Sequence, residues 1–437
     1  MRPQKPREIA VQVLLQLQGR TRARSEAVLE EALASGGLAA PDRALTQELV
    51  YGVTRWQAAL DWMIARKTQG RTQKPLLQIL LRLGLYQIFW LDRIPDHAAV
   101  HESVQLARDL GCGPQSGFVN AVLRGSLRDR SELQQALARL QEEQPHLGFS
   151  HPQWLCARWT ARWGPAGLRQ LLEWNNTPAK VWARLNTLKA TAEQLARHFE
   201  QEGVLFTPRQ FSWTPPDLLF ELRAHPPLPG LPSFQQGLFY VQDPSTLLAV
   251  RELNPQPGER VLDLCAAPGG KTTFIAQLIN NQGEIVAEDN DDQRLQRVRE
   301  NCARLGVTCV HTQTSSAAAR RSTEDVSDRD FDRVLVDAPC SNTGVMRRRV
   351  ELRWRIQPAE IERLQAAQLR LLRSAAARAR SGATLVYSTC SLEPEENQTV
   401  VEIFRRETPA FQLQAEHELT PMRDGVDGGY VARGVMK

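Results

Sequence analysis

The stretch Val261-Leu262-Asp263-Leu264-Cys265-Ala266-Ala267-Pro268-Gly269-Gly270-Lys271-Thr272-Thr273 decides the fold. A short run of strand character enters a tight glycine-rich turn, and a helix start follows. In a doubly wound α/β sheet such a turn holds a nucleotide-like ligand at the carboxyl end of the first strand. A phosphate loop needs G-x-x-x-x-G-K-[ST], with backbone N–H groups lining the phosphate. Gly270-Lys271-Thr272 fits its end, but Cys265 stands where its first glycine belongs, and Pro268 has no N–H to give. The dinucleotide signature G-x-G-x-x-G is absent.

Outward from this turn, strand-like segments recur at 260–264, 284–288, 307–310, 333–336 and 384–387, most of them separated by helical stretches. That alternation predicts βαβ units in a mostly parallel, doubly wound sheet. Asp289 follows the second segment, about 20 residues past the glycines, where a carboxylate accepts hydrogen bonds from ribose hydroxyls. A helix N-cap is the competing role for Asp289. The expected ligand therefore carries adenosine with a free ribose and no phosphate tail, as S-adenosylmethionine does. Leu335-Val-Asp-Ala-Pro-Cys-Ser341 and Tyr387-Ser-Thr-Cys-Ser391 each put a cysteine just past a strand end, where ligands bind in such sheets. A lone cysteine is usually an inert core residue; two of them beside a cofactor turn are read as reactive. Cys302 and Cys309 have no such position and are read as core. The seven cysteines are odd in number and show no CxxC spacing, so neither a disulfide framework nor a metal site is expected.

The rest of the chain sets the context. Its 437 residues are 42% apolar and 24% charged, which excludes a disordered or fibrous chain and allows several domains. No apolar run is long enough for a spanning helix and no signal core follows the N-terminus, so a cytoplasmic protein without membrane contact is expected. The net charge is +5, and the positive excess lies ahead of residue 236. Arg outnumbers Lys 47 to 7. Arg suits bidentate phosphate contacts, which points to nucleic acid; genomic base composition is the other explanation.

Residues 1–145 read as helices. Leu45, Leu49, Val53, Trp56, Leu60 and Met63 mark one helical face, as do Ile9, Val13 and Leu17. Leu76 to Leu91 reads as a buried helix, and Asp96 as the cap of the next. Residues 146–235 change character, with six of the ten tryptophans, short apolar pieces at 181–185 and 218–222, and a capping box, Thr191-Ala-Glu-Gln194, opening a helix that Gly203 ends. A small α+β module is expected there, followed by a proline-rich connector.

Asp337-Ala-Pro-Cys340 with Thr389-Cys390-Ser391, behind the Ala-Pro-Gly-Gly-Lys turn, resembles the RNA cytosine-C5 methyltransferases. Leu-Gly-Leu-Tyr-Gln (83–87), Ile-Pro-Asp-His-Ala-Ala (94–99) and Phe-Val-Asn-Ala-Val-Leu-Arg (118–124) resemble the NusB-like RNA-binding domain. Taken together, the chain resembles the RsmB (Sun or Fmu) family. The resemblance implies a multidomain protein: an all-α NusB-like domain over 1–145, a small α+β linker module over 146–235, and an α/β Rossmann-like class I methyltransferase domain over 236–437. It implies methyl transfer from S-adenosylmethionine to C5 of one cytosine in 16S ribosomal RNA, free or in an assembly intermediate, by a monomer. The same chemistry on tRNA and a non-catalytic RNA-binding factor are the alternatives.

Carried over residue by residue, Cys265, Ala266, Ala267, Pro268, Gly269, Gly270, Lys271, Asp289 and Asp337 hold the cofactor. Cys390 attacks the base and Cys340 serves the elimination, an order that spacing alone does not rank. Asp337 hydrogen-bonds the base near N3 and N4, and Lys271 helps hold the turn and the target base. Arg347, Arg348, Arg349, Arg353 and Arg355 are read as phosphate contacts. Two departures stand out. Thr312-Gln-Thr-Ser-Ser316 carries no acid where the family has one near the adenine, and Val350-Glu351 replaces Pro-Asp after the arginine run.

Overall fold

The structure, a computed structural model, describes residues 5–19, 25–35, 37–315 and 331–437. The chain forms two compact units: Met1–Pro178 with Met346–Ile356, and Ala179–Val345 with Gln357–Lys437. The linker module expected over 146–235 is therefore divided. Its tryptophan-rich start is a helix, Gln153–Asn176, in the first unit; its strands belong to the second. No helix among the described residues is long and apolar enough to cross a membrane.

The first unit is helical. The face running from Leu45 to Met63 spans two helices, Ala40–Arg55 and Gln57–Thr68, which meet at Trp56 and share one core. Helix Pro75–Trp90 is the buried one expected, and its polar residues are paired. Arg82 donates to both oxygens of Asp61, and Gln87 accepts from Arg7. A buried polar group without such partners would cost free energy. Asp96 begins helix Asp96–Asp109 but does not cap it; its carboxylate takes a hydrogen bond from Arg130 instead. Residues 346–356 leave the second unit's sequence at Val345 and pack among these helices.

Among the described residues, the second unit holds two sheets. Strands β1 (Val181–Leu185), β2 (Leu205–Arg209), β3 (Leu219–Ala224) and β4 (Phe239–Val241) form an antiparallel sheet in the order β2-β3-β1-β4. The capping box forms as read: Thr191 Oγ1 accepts from the Gln194 N–H at 3.3 Å and Gln194 Oε1 from the Thr191 N–H at 2.8 Å. The larger sheet contains β5 (Arg260–Leu264), β6 (Glu284–Asp289), β7 (Val310–Thr314), β8 (Phe331–Asp337), β9 (Ala379–Thr389), β10 (Phe411–Leu419) and β11 (Gly429–Met436). Its order is β10-β11-β9-β8-β5-β6-β7; β5 to β9 are parallel, and β10 and β11 antiparallel. Val261, Leu262 and Leu264 are buried, as a central parallel strand covered on both faces requires.

The strand order reverses at β5, which lies between β6 and β8. The crevice at such a switch point, beyond the carboxyl ends of the strands, is where doubly wound sheets bind ligands. Loops after β5, β6, β8 and β9 lead there. The third strand starts later than read, because the Val307 N–H is spent on Cys302 O at 2.9 Å in the cap of helix Asp292–Leu305.

Candidate active site

The turn after β5 is shaped for close approach. Gly269 has φ +98°, which favours glycine, and a Cβ there would lie a tight 3.3 Å from the Val298 Cα. The Ala266 N–H donates to Glu288 O at 2.9 Å, which ties the turn to β6. Lys271 follows in the first turn of helix Gly270–Leu278.

Asp289 is buried at the end of β6. Its carboxylate accepts from the Ala267 N–H at 3.3 Å and from Arg294 at 2.9 Å, and the same guanidinium donates to Ala267 O. The N-cap of the next helix is Asp291, whose side chain accepts from the Gln293 and Arg294 N–H groups. Asp289 is thus free of the capping role that competed for it. Asp263 is fully buried; one oxygen accepts from Thr272 at 2.6 Å, and the other has no hydrogen-bond partner among the described residues. Burial pushes its carboxyl up to about 7, and the charges of Asp337 and Asp289 add to the shift. The carboxylates of Asp289 and Asp337 beside the turn disfavour a phosphate tail and suit a ligand with hydroxyls, an ammonium and a sulfonium. The residues present therefore fit S-adenosylmethionine. Burial, with the nearby acids Asp337, Asp289 and Asp263, pushes the Cys265 thiol up to about 12.

The loops after β8 and β9 bring the two cysteines together: Cys340 Sγ and Cys390 Sγ are 3.3 Å apart. Lys271 Nζ lies 2.7 Å from Asp337 Oδ2, and Ser388 donates to Asp337 Oδ1 at 2.9 Å. Lys271 is raised despite its burial, by Asp337 first and by Cys390 among its other neighbours. The Lys271 ammonium thus acts on the Cys390 sulfur through its charge. Cys340 sits in the opposite surroundings. Its thiol is pushed well up by the bond to Cys390, by burial, and by the nearby charge of Glu396.

The sequence reading missed the group that fastens this pair. Glu396 is completely buried. It accepts from the Ser341 N–H at 2.8 Å, from the hydroxyls of Ser341 and Ser391, and from Gln368 at 3.1 Å. One carboxylate therefore clasps the residue after each cysteine. The repeated Cys-Ser in the two motifs was the available signal, but nothing in the local spacing names its acceptor.

The arginine run is placed otherwise than expected. Arg353 is completely buried, with hydrogen bonds to the carbonyls of Arg55, Ser150 and Asn175 and to Asn176 Oδ1. Arg347 is buried against Trp174, 3.9 Å above its ring. Neither guanidinium is presented to a phosphate, so both readings are corrected. Arg348, Arg349 and Arg355 are half-buried. In the segment without the expected acid, Thr312 accepts from Arg299 at 2.9 Å and Gln313 donates to Glu288; Ser316 lies outside the described residues. Cys302 and Cys309 are buried as read. Among the described residues there is no metal-binding group of side chains.

Similarity to known proteins agrees with this geometry. Residues 250–432 match the model of the 16S rRNA methyltransferase RsmB/F family, residues 4–128 the NusB family, and residues 151–214 the ferredoxin-like domain of RsmF/B-like methyltransferases. A methyltransferase homologue from Pyrococcus horikoshii superposes with a TM-score of 0.57 at 29% identity, over 67% of this chain and 97% of its own. Fold and site together define an S-adenosylmethionine-dependent methyltransferase. A Bacillus subtilis protein named probable ribosomal RNA small subunit methyltransferase B is 35% identical over 93% of this chain and 89% of its own length. A Klebsiella pneumoniae protein named ribosomal RNA small subunit methyltransferase B is 36% identical over 86% and 84%. The chain belongs to the RsmB/F family of 16S rRNA methyltransferases.

Proposed function

We propose that this protein methylates C5 of one cytosine in 16S ribosomal RNA through a covalent bond between Cys390 and C6 of the base. The observation that carries the reading is the thiol pair, 3.3 Å apart, beside an ammonium and a carboxylate. Cytosine C5 is too weak a nucleophile to take a methyl group unaided. Addition of a thiolate to C6 makes C5 enamine-like. Lys271 favours the anionic form of Cys390, which suits that sulfur to attack. Asp337, held by Lys271 and Ser388, hydrogen-bonds the base near N3 and N4 in this reading. When bound, S-adenosylmethionine supplies the electrophilic methyl group. Cys340 then serves the elimination: its thiolate takes the C5 proton, the C5–C6 double bond reforms, the S–C6 bond breaks, and Cys390 leaves as a thiolate. A thiol raised by burial and by Glu396 is a strong base once ionised, which suits this later role.

The target base must stand out of its stack to be reached. Arg348 and Arg349 remain the proposed phosphate contacts of the run. The expected setting is the cytoplasm, with a monomer acting on free rRNA or an assembly intermediate. The test is transfer of labelled methyl from S-adenosylmethionine to purified 16S rRNA and to tRNA, followed by nucleoside analysis. The label should appear as 5-methylcytidine in 16S rRNA. Label on another nucleoside, or on tRNA alone, would refute the assignment.

A further inference from the structure

Asn342 stands two residues after Cys340 and has no part in the chemistry above. Its backbone is left-handed, with φ +61°. Its neighbours are fixed on both sides. Ser341 is held by Glu396, and the Thr343 hydroxyl lies 3.3 Å from Ser391 Oγ and accepts from the Leu392 N–H at 2.9 Å. The side chain is therefore aimed, and it lies against the nucleophile: Cys390 Sγ donates to Asn342 Oδ1 at 3.2 Å.

The orientation of the amide follows from its other end. Asn342 Nδ2 donates to Cys340 O at 2.5 Å. Turning the amide over would set two oxygens against each other at that distance, so the oxygen faces the sulfur. An amide oxygen can bond a thiol S–H but repels a thiolate. A hydrogen bond made only to the neutral form opposes ionisation. Lys271 acts on the same sulfur with the opposite sign.

We propose that Asn342 is a further catalytic residue, which holds Cys390 in its thiol form through the Sγ–H to Oδ1 bond and so sets how readily the nucleophile ionises. Its relevance to turnover rests on Cys390 being the nucleophile. A reactive thiolate requires the Asn342 amide to give way. Ionisable groups acting on the sulfur pair among the described residues include Lys271 from the helix start, Asp337 from the end of β8, Tyr387 of β9, and Glu396.

The test is alkylation of Cys390 by iodoacetamide in the full-length, cofactor-free protein. The rate is followed against pH and assigned by peptide mass mapping, since only the thiolate reacts. Asn342→Gly removes the amide, and glycine accepts the left-handed backbone without steric strain. Its alkylation midpoint should fall by about one pH unit, with about ten-fold faster labelling near neutral pH. Asn342→Asp sets a charge against the sulfur and should raise the midpoint. An unchanged or raised midpoint in Asn342→Gly overturns the proposal, as does a lowered midpoint in Asn342→Asp. Mere loosening of the loop would speed labelling of both cysteines without moving the midpoint, and that result also overturns it. The readout needs no methyl transfer, so it stands apart from any failure of the nucleophile assignment.

Discussion

Asp263 carries a cost that titration can reveal. Its folded carboxyl titrates at about 7, against about 3.9 for an unfolded chain. A carboxyl raised on folding binds its proton more tightly in the native state. The stability it contributes is full below about pH 4 and is lost as the pH rises through about 7. Asp263→Asn still offers an acceptor to Thr272 and never ionises. Its melting temperature should therefore gain on that of the parent between about pH 5 and pH 8. A difference that stays constant over that range in calorimetry would show that burial does not hold Asp263 neutral. Asp289 makes a separate expectation at the same scale. If it binds the ribose hydroxyls, Asp289→Ala should weaken S-adenosylmethionine binding by roughly 1.5–3 kcal/mol. Unchanged affinity would mean that another acid does this work. Among single residues, the two cysteines, Lys271, Asp289 and Asp337 were legible because each stands at a fixed offset from a strand end. Glu396 and Asn342 were not, because their roles come from contacts between loops about 50 residues apart in sequence. Arg353 was misread because an arginine run shows its charge in sequence but not its burial.

The loops after β8 and β9 behave as one element. The Gly344 N–H donates to Cys390 O at 3.0 Å, and Gly344 O accepts from the Gly428 N–H at 2.9 Å. A Cβ on Gly344 would lie 2.4 Å from Gly428 O and 2.9 Å from Cys390 O, both backbone atoms that cannot swing aside. Gly344→Ala should force these loops apart, at a cost of roughly 1–3 kcal/mol in stability. Methyl transfer should fall by more than that loss of folded protein explains, because the cysteine pair is displaced. A variant with normal turnover in a steady-state assay would contradict this coupling. The parallel strands were readable as short apolar runs between helices. The β10–β11 hairpin was not read: a bulge between Leu413 and Ala415 turns Phe411 and Leu413 to one core and Leu419 to the other, so neither face of β10 carries a long apolar run. The offset of β7 has a similar origin: Val307 and Cys309 are apolar and buried, but the segment's first N–H belongs to the preceding helix cap.

At the scale of the whole molecule, the compact units do not follow the order of the chain. The break near residue 145 and the proline-rich connector suggested three consecutive domains, yet residues 346–356 belong with the helices of the first unit. There Arg353 bonds three carbonyls and Asn176, and Trp354 donates to Thr54 O at 2.8 Å. Arg353→Ala would leave those buried acceptors unmet and a cavity behind, so it should destabilise the helical unit by roughly 2–4 kcal/mol. A surface role in RNA binding would instead leave stability unchanged and weaken RNA affinity, which denaturant unfolding and a binding assay tell apart. Deleting residues 1–145 would strand the same segment, so loss of activity in that truncation would not by itself measure RNA binding.

The central claim is that Cys390 attacks the base and Cys340 releases it. The most direct measurement is a denaturing gel of Cys340→Ala and Cys390→Ala, each incubated with substrate RNA and S-adenosylmethionine. Cys340→Ala should still attack and transfer the methyl group, then stall, accumulating a protein–RNA adduct that survives denaturation. Cys390→Ala should give neither adduct nor methylation. A stable adduct with Cys390→Ala and none with Cys340→Ala would contradict the account, and would give the attacking role to the sulfur of the Pro-Cys motif.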